Sequence, residues 1–150
     1  MSCLELKHAQ EEFIKKTVRS WHFTPRKRNM YKILIVEDDV NLLDLYCSLL
    51  ESEAKLEVSS AENGKAALQT ISKWRPDLIV SDVMMPVCDG VELLKQVSQM
   101  QQPIPILFVS GFANQNEKDL LDNPNCVGFL KKPISMEVLL KNIFHCLGKG

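Results

Sequence analysis

Pro76-Asp77-Leu78-Ile79-Val80-Ser81-Asp82-Val83-Met84-Met85-Pro86-Val87-Cys88-Asp89-Gly90 contains an unbroken apolar run, Leu78 to Val80, followed closely by a carboxylate at Asp82. The run is too short and too β-branched for a helix, and continuous apolar runs of this kind suit strands buried on both faces. Ile33-Leu34-Ile35-Val36 and Ile104 to Val109 read the same way, and Leu56-Glu57-Val58-Ser59 and Cys126 to Leu130 supply two weaker strands. Helical stretches lie around them: Val40 to Glu51, Asn63 to Lys73, Gly90 to Met100, about Asn114 to Leu121, and Ser135 to Leu147. Leu42, Leu45 and Leu49 form one apolar stripe at three- and four-residue spacing, and Val138, Leu139, Asn142 and Ile143 form another.

The order βαβαβαβαβα predicts an α/β fold with a parallel sheet and helices on both faces, since parallel neighbours need right-handed crossovers. For five strands the doubly wound, flavodoxin-like (βα)5 arrangement with sheet order 2-1-3-4-5 is the natural candidate. Ligands of such sheets bind beyond the carboxyl ends of the strands, at the switch point between strands 1 and 3. Glu37, Asp38 and Asp39 follow strand 1 and Asp82 follows strand 3, so residues 44 positions apart, Asp38 and Asp82, are expected in one crevice. Carboxylates gathered there repel one another unless a cation neutralises them, and a site of one or two carboxylates plus water and phosphate suits Mg²⁺. Asp is also a favoured helix N-cap, which is the plain alternative for any one of these acids. Ser110 after strand 4 and Lys132 after strand 5 reach the same edge with a hydroxyl and a cation.

At 150 residues, 45% hydrophobic and 25% charged, the chain has the size and composition of one globular domain. Its five cysteines are widely spaced with no C-x-x-C pair, which suggests neither a zinc site nor a disulfide framework and fits a reducing compartment. No run of about 18 apolar residues is present, and the first residues lack the apolar core of a signal peptide, so the expected location is the cytoplasm, off the membrane. Residues 1 to 30 hold seven Lys/Arg and three Glu, and the remainder eleven Lys/Arg and sixteen Asp/Glu, giving +4 and −5. The cluster Arg26-Lys27-Arg28 marks a boundary near residue 30, but with an acidic main body it is too small a basic face for nucleic acid.

From residue 31 to 148 the chain resembles the response-regulator receiver family. Ile33 to Asp39 is similar to its first strand and acidic pair, and Pro76 to Gly90 to its phosphorylation segment. Ala61-Glu62-Asn63-Gly64, Val109-Ser110 and Phe129-Leu130-Lys131-Lys132-Pro133 follow in the family's order. The resemblance implies that Asp82 is the phosphoacceptor for a histidine kinase or phosphotransfer protein, and that Asp38, Glu37, Asp82 and the Met84 backbone carbonyl hold Mg²⁺. It further implies a Lys132 that pairs with Asp82 and then with the phosphoryl group, an exposed Lys131, a cis Lys132-Pro133 bond, and a switch made by Ser110 and Phe129. In that switch the hydroxyl draws strand 4 inward and the ring fills the vacated space, changing the shape read by a downstream protein or output domain. Such a protein catalyses its own phosphorylation and is not otherwise an enzyme.

Cys88 stands where the family has Met or Leu, and reads as a small hydrophobe whose thiol pKa nearby acids raise. Rival readings are a Mg²⁺-dependent phosphohydrolase, a flavodoxin-like FMN binder, and a receiver that binds partners without phosphorylation. The first lacks an acid two residues after Asp82, where Met84 stands; the second lacks a Ser/Thr/Gly loop after strand 1; the third is at odds with the full set of site residues. Residues 1–30 fall outside the resemblance. Ile14, Val18 and Trp21 suggest a short amphipathic helix before Pro25. This extension and its basic linker read as a helix packing on residues 31–150 or on a second copy in a homodimer, as the remnant of an upstream domain, or as an early start before Met30-Tyr31-Lys32.

Overall fold

The computed structural model describes residues 19, 21, 30–111 and 117–148. Five strands, β1 (Tyr31–Val36), β2 (Leu56–Ala61), β3 (Leu78–Ser81), β4 (Ile106–Ser110) and β5 (Cys126–Lys131), pair in parallel in the order β2-β1-β3-β4-β5. Helices α1 (Val40–Glu51), α2 (Gly64–Lys73), α3 (Gly90–Ser98), α4 (Glu117–Asp122) and α5 (Met136–Cys146) alternate with them. This is the flavodoxin-like order expected from the apolar runs.

Side chains alternate across a strand, so each apolar run feeds both faces of the sheet. Ile33, Ile35, Leu78, Val80, Leu107 and Val109 meet α1 and α5 on one face. Leu34, Val36, Ile79, Ile106 and Phe108 meet α2, α3 and α4 on the other. A slip of one residue would exchange these two sets, which fixes the register and hence the position of every strand end.

The face of α1 differs from the expectation. Its core residues are Leu43, Tyr46 and Leu50, whereas Leu45 and Leu49 are 52% and 39% exposed, and Leu42 is half-buried. The helix carries two adjacent apolar stripes, and spacing alone does not say which one meets the sheet; packing against the sheet selects Leu43, Tyr46 and Leu50. Of the expected stripe of α5, Leu139, Asn142 and Ile143 are fully buried, whereas Val138 is half-buried.

Several element ends move by one or two residues, as helix and strand ends fray, and the expected start of α4 at about Asn114 lies outside the described residues. β4 starts at Ile106 because Pro105 has no N–H to give the sheet, and its carbonyl accepts from Ile79 N instead. Asn63, Asp89 and Ser135 lie just outside their helices as N-caps, with side chains accepting from Ala66, Glu92 and Val138 N–H. Among the described residues no helix is long and apolar enough to cross a membrane. The amphipathic helix expected before Pro25 lies outside the described residues, apart from Arg19 and Trp21.

Candidate acidic site at the carboxyl edge of the sheet

The ladder hydrogen bonds of the sheet run on into the loops and tie neighbouring strand ends together. Asp82 N–H donates to Val36 O at 3.0 Å, Glu37 N–H to Ala61 O at 3.1 Å, and Lys132 N–H to Ser110 O at 2.9 Å. The last of these fixes the backbone beside the cis Lys132-Pro133 bond, which the resemblance had implied.

Glu37, Asp38 and Asp82 each present a carboxylate oxygen within 4.8 Å of the other two. Glu37 is 4% exposed and Asp82 9%, whereas Asp38 is open to solvent. Lys132 Nζ stands 2.8 Å from Glu37 Oε2 and 2.8 Å from Asp82 Oδ2. The other Asp82 oxygen, Oδ1, accepts the Met84 N–H at 3.2 Å. Glu37 Oε1 accepts the Asp39 N–H at 3.3 Å. Asp39 itself caps α1, its Oδ1 accepting from Asn41 and Leu42 N–H. The two roles considered for strand-end acids are thus divided: Asp39 takes the cap, and Asp38 stays with Glu37 and Asp82. Lys131 points to solvent.

Burial raises the Glu37 carboxyl above its ordinary range, and the hydrogen bond and charge of Lys132 only partly oppose this; the Asp82 charge adds to the rise. Burial also pulls Lys132 down, but the hydrogen bonds and charges of Asp82 and Glu37 together outweigh it and hold the ammonium above its ordinary value. Three hard oxygen donors with too little positive charge fit a hard divalent cation such as Mg²⁺ better than a soft one.

Ser110 ends β4 on the same edge and is 1% exposed. Phe129 is also 1% exposed, with its ring 6.4 Å centroid to centroid from Phe108 and tilted by 42°. The ring therefore already occupies an inner position. Cys88 is half-buried, and burial first, then Glu92 and Asp89, raises its thiol pKa.

Two glycines were not singled out by the sequence reading. A Cβ on Gly90 would lie 2.5 Å from Asp82 O and 2.9 Å from Val83 Cα, and one on Gly64 would lie 2.7 Å from Cys88 O. Both let a helix N-terminus press against the loop that follows Asp82. Their signal was in the sequence, in the Asp89-Gly90 and Asn63-Gly64 pairs that open helices.

A family model described as the response regulator receiver domain matches residues 33–144. The chain is 30% identical over 118 residues to the polar-differentiation response regulator DivK of Brucella anthropi, covering 77% of this chain and 95% of that one. It is 36% identical over 105 residues to a protein-glutamate methylesterase/protein-glutamine glutaminase of Halalkalibacterium halodurans, covering 68% of this chain but 30% of the relative. It spans 57% of the probable transcriptional regulator ycf29 of Porphyra purpurea, at 32% identity. Several curated relatives are thus considerably longer than the region they share with it. Among solved structures, chemotaxis response regulator CheY4 of Vibrio cholerae matches with a TM-score of 0.69 at 35% identity, over 79% of this chain and 99% of that one. A CheY-like receiver domain protein of Methanospirillum hungatei matches with 0.74 at 28% identity, over 80% and 95%.

Proposed function

Because this chain belongs to the response-regulator receiver domain family, we propose that Asp82 takes a phosphoryl group from a histidine kinase or a phosphotransfer protein, and that the resulting change of shape controls a downstream protein or output domain. The observation that carries this reading is the setting of Asp82: nearly buried, ringed by Glu37 and Asp38, and held by Lys132 on one oxygen and the Met84 N–H on the other. An isolated structural aspartate would be expected to cap a helix or pair with one cation, not to sit among like charges at a strand end.

The chemistry follows from those contacts. An Asp82 oxygen attacks phosphorus, the new P–O bond forms as the P–N bond to the donor's histidine breaks, and the imidazole nitrogen leaves with the electron pair. Phosphoryl transfer is catalysed chiefly by positioning and by charge placed against the phosphoryl oxygens. Lys132 supplies such a charge from within hydrogen-bonding distance of Asp82, and the Met84 N–H orients the carboxylate. Mg²⁺, held by Glu37, Asp38, Asp82 and the Met84 carbonyl, would supply the rest of the neutralisation when bound. Ser110 would then hydrogen-bond a phosphoryl oxygen, and Phe129, already inside, would lock the displaced β4 end. A phosphohydrolase remains poorly supported, since Met84, two residues after Asp82, is apolar and 60% exposed.

Acetyl phosphate with Mg²⁺ is expected to add one acid-labile phosphoryl group, read by intact mass, and Asp82→Asn to abolish it. Chelating the metal is expected to block labelling. Undiminished labelling of Asp82→Asn would overturn the assignment, and labelling that persists in EDTA would remove the metal role of Asp38.

A further inference from the structure

Arg19 and Trp21 lie before the family match, yet together they satisfy three carbonyl groups that the domain leaves open. The first is on β5. Ile106 pairs with Cys126 and Leu107 with Gly128, so Val127 is the extra residue of a bulge, and β5 is an edge of the sheet. Its carbonyl accepts the Arg19 N–H at 2.6 Å. The second is Cys146 O, at the last residue of α5, where helix carbonyls have no partner within the helix; it accepts the Trp21 N–H at 2.9 Å. The third is Leu121 O in the last turn of α4, which accepts from the Arg19 guanidinium at 3.1 Å. That is also the helix end where a cation is favoured. The half-buried Trp21 packs against the core cluster that contains Val127, Ile143, Cys146 and Leu147.

We propose that Arg19 and Trp21 form an intramolecular strap: the partner of the Val127 carbonyl on the β5 edge and of the Cys146 carbonyl at the α5 end is the chain's own backbone at these two residues. The bulge carbonyl makes the contact of Arg19 specific to this place, because the bulge is an irregular feature of the β4–β5 pair. An exposed strand edge otherwise offers its acceptors to strands of other molecules, and the Arg19 N–H takes the one at Val127. The folded unit of this chain accordingly includes Arg19 and Trp21. The strap needs no phosphoryl chemistry, so it stands or falls independently of Asp82.

Amide hydrogen exchange of the full 150-residue chain tests it. The Arg19 and Trp21 amides are expected to exchange at least tenfold more slowly than in an unstructured peptide, equally at low and high protein concentration and equally in Asp82→Asn. Arg19→Pro removes the donor to Val127 and is expected to abolish protection at Trp21 while leaving the amides of β1 and β3 unchanged. Exchange at free-peptide rates in the parent chain overturns the strap. Protection that grows with protein concentration overturns it in favour of a segment supplied by a second copy. Unchanged protection at Trp21 in Arg19→Pro also overturns it, because the contact with Val127 would then not be what holds the segment.

Discussion

Lys132 holds two buried carboxylates at once, and its removal leaves Glu37 and Asp82 facing each other without compensation. Breaking a fully buried pair costs several kcal/mol. Because Lys132 is 20% exposed, a discounted loss of about 2 kcal/mol is expected for Lys132→Ala in metal-free buffer. Added Mg²⁺ should recover part of it by neutralising the same acids, as measured by urea unfolding with and without the ion. An equal loss in both buffers would show that the lysine's charge is not what the site lacks. The acids and this lysine were legible in the sequence because their chemistry is carried by residue type at fixed strand ends. The backbone at Val87 was not. A β-branched residue there adopts φ 71° and is 79% exposed, a conformation set by the path of the loop between Asp82 and Gly90 and invisible to periodicity.

At the scale of elements, α3 is positioned by contact with the loop that bears Asp82. Gly90 N–H donates to Val83 O at 2.8 Å, and the missing side chain lets the helix approach Asp82 O and the Phe108 ring. Gly90→Ala forces overpacking against backbone, which costs about 1–3 kcal/mol. It should also slow labelling by acetyl phosphate, since the loop must shift to admit the methyl group. Normal labelling together with unchanged unfolding would mean that the helix yields freely. Element type and order were legible throughout, because runs such as Ile33 to Val36 are apolar on both sides and only a doubly covered strand accommodates that. The face of α1 was not. Leu42, Leu45 and Leu49 match the helical period as well as Leu43, Tyr46 and Leu50 do, so only tertiary packing distinguishes them.

For the whole molecule, several buried groups share one direction of pKa shift, and their sum sets the response to alkali. Burial pushes the Cys126 thiol up to about 11 and the Cys146 thiol up to about 12, against 9.0 for a free thiol. Tyr46, chiefly through burial, and Lys132, where its two carboxylates outweigh burial, are raised as well. Between the unfolded and folded pKa values the native chain binds more protons than the unfolded one, so stability falls as pH rises through this window. The two thiols together should cost about 2–3 kcal/mol between pH 8 and 10, read from urea midpoints. Cys146→Ala, though less stable at pH 8, should show a shallower decline; an unchanged slope would mean that the thiols do not ionise differently on unfolding.

The tie between Lys132 and Asp82 crosses 50 positions of sequence. A ribosome extrudes the strand with Asp82 well before the one that leads to Lys132, so a nascent or truncated chain displays the acids without their cation. Competence to take up a phosphoryl group would then arrive only when the last strand docks, and labelling could serve in the cell or in a refolding tube as a readout of completed synthesis and folding.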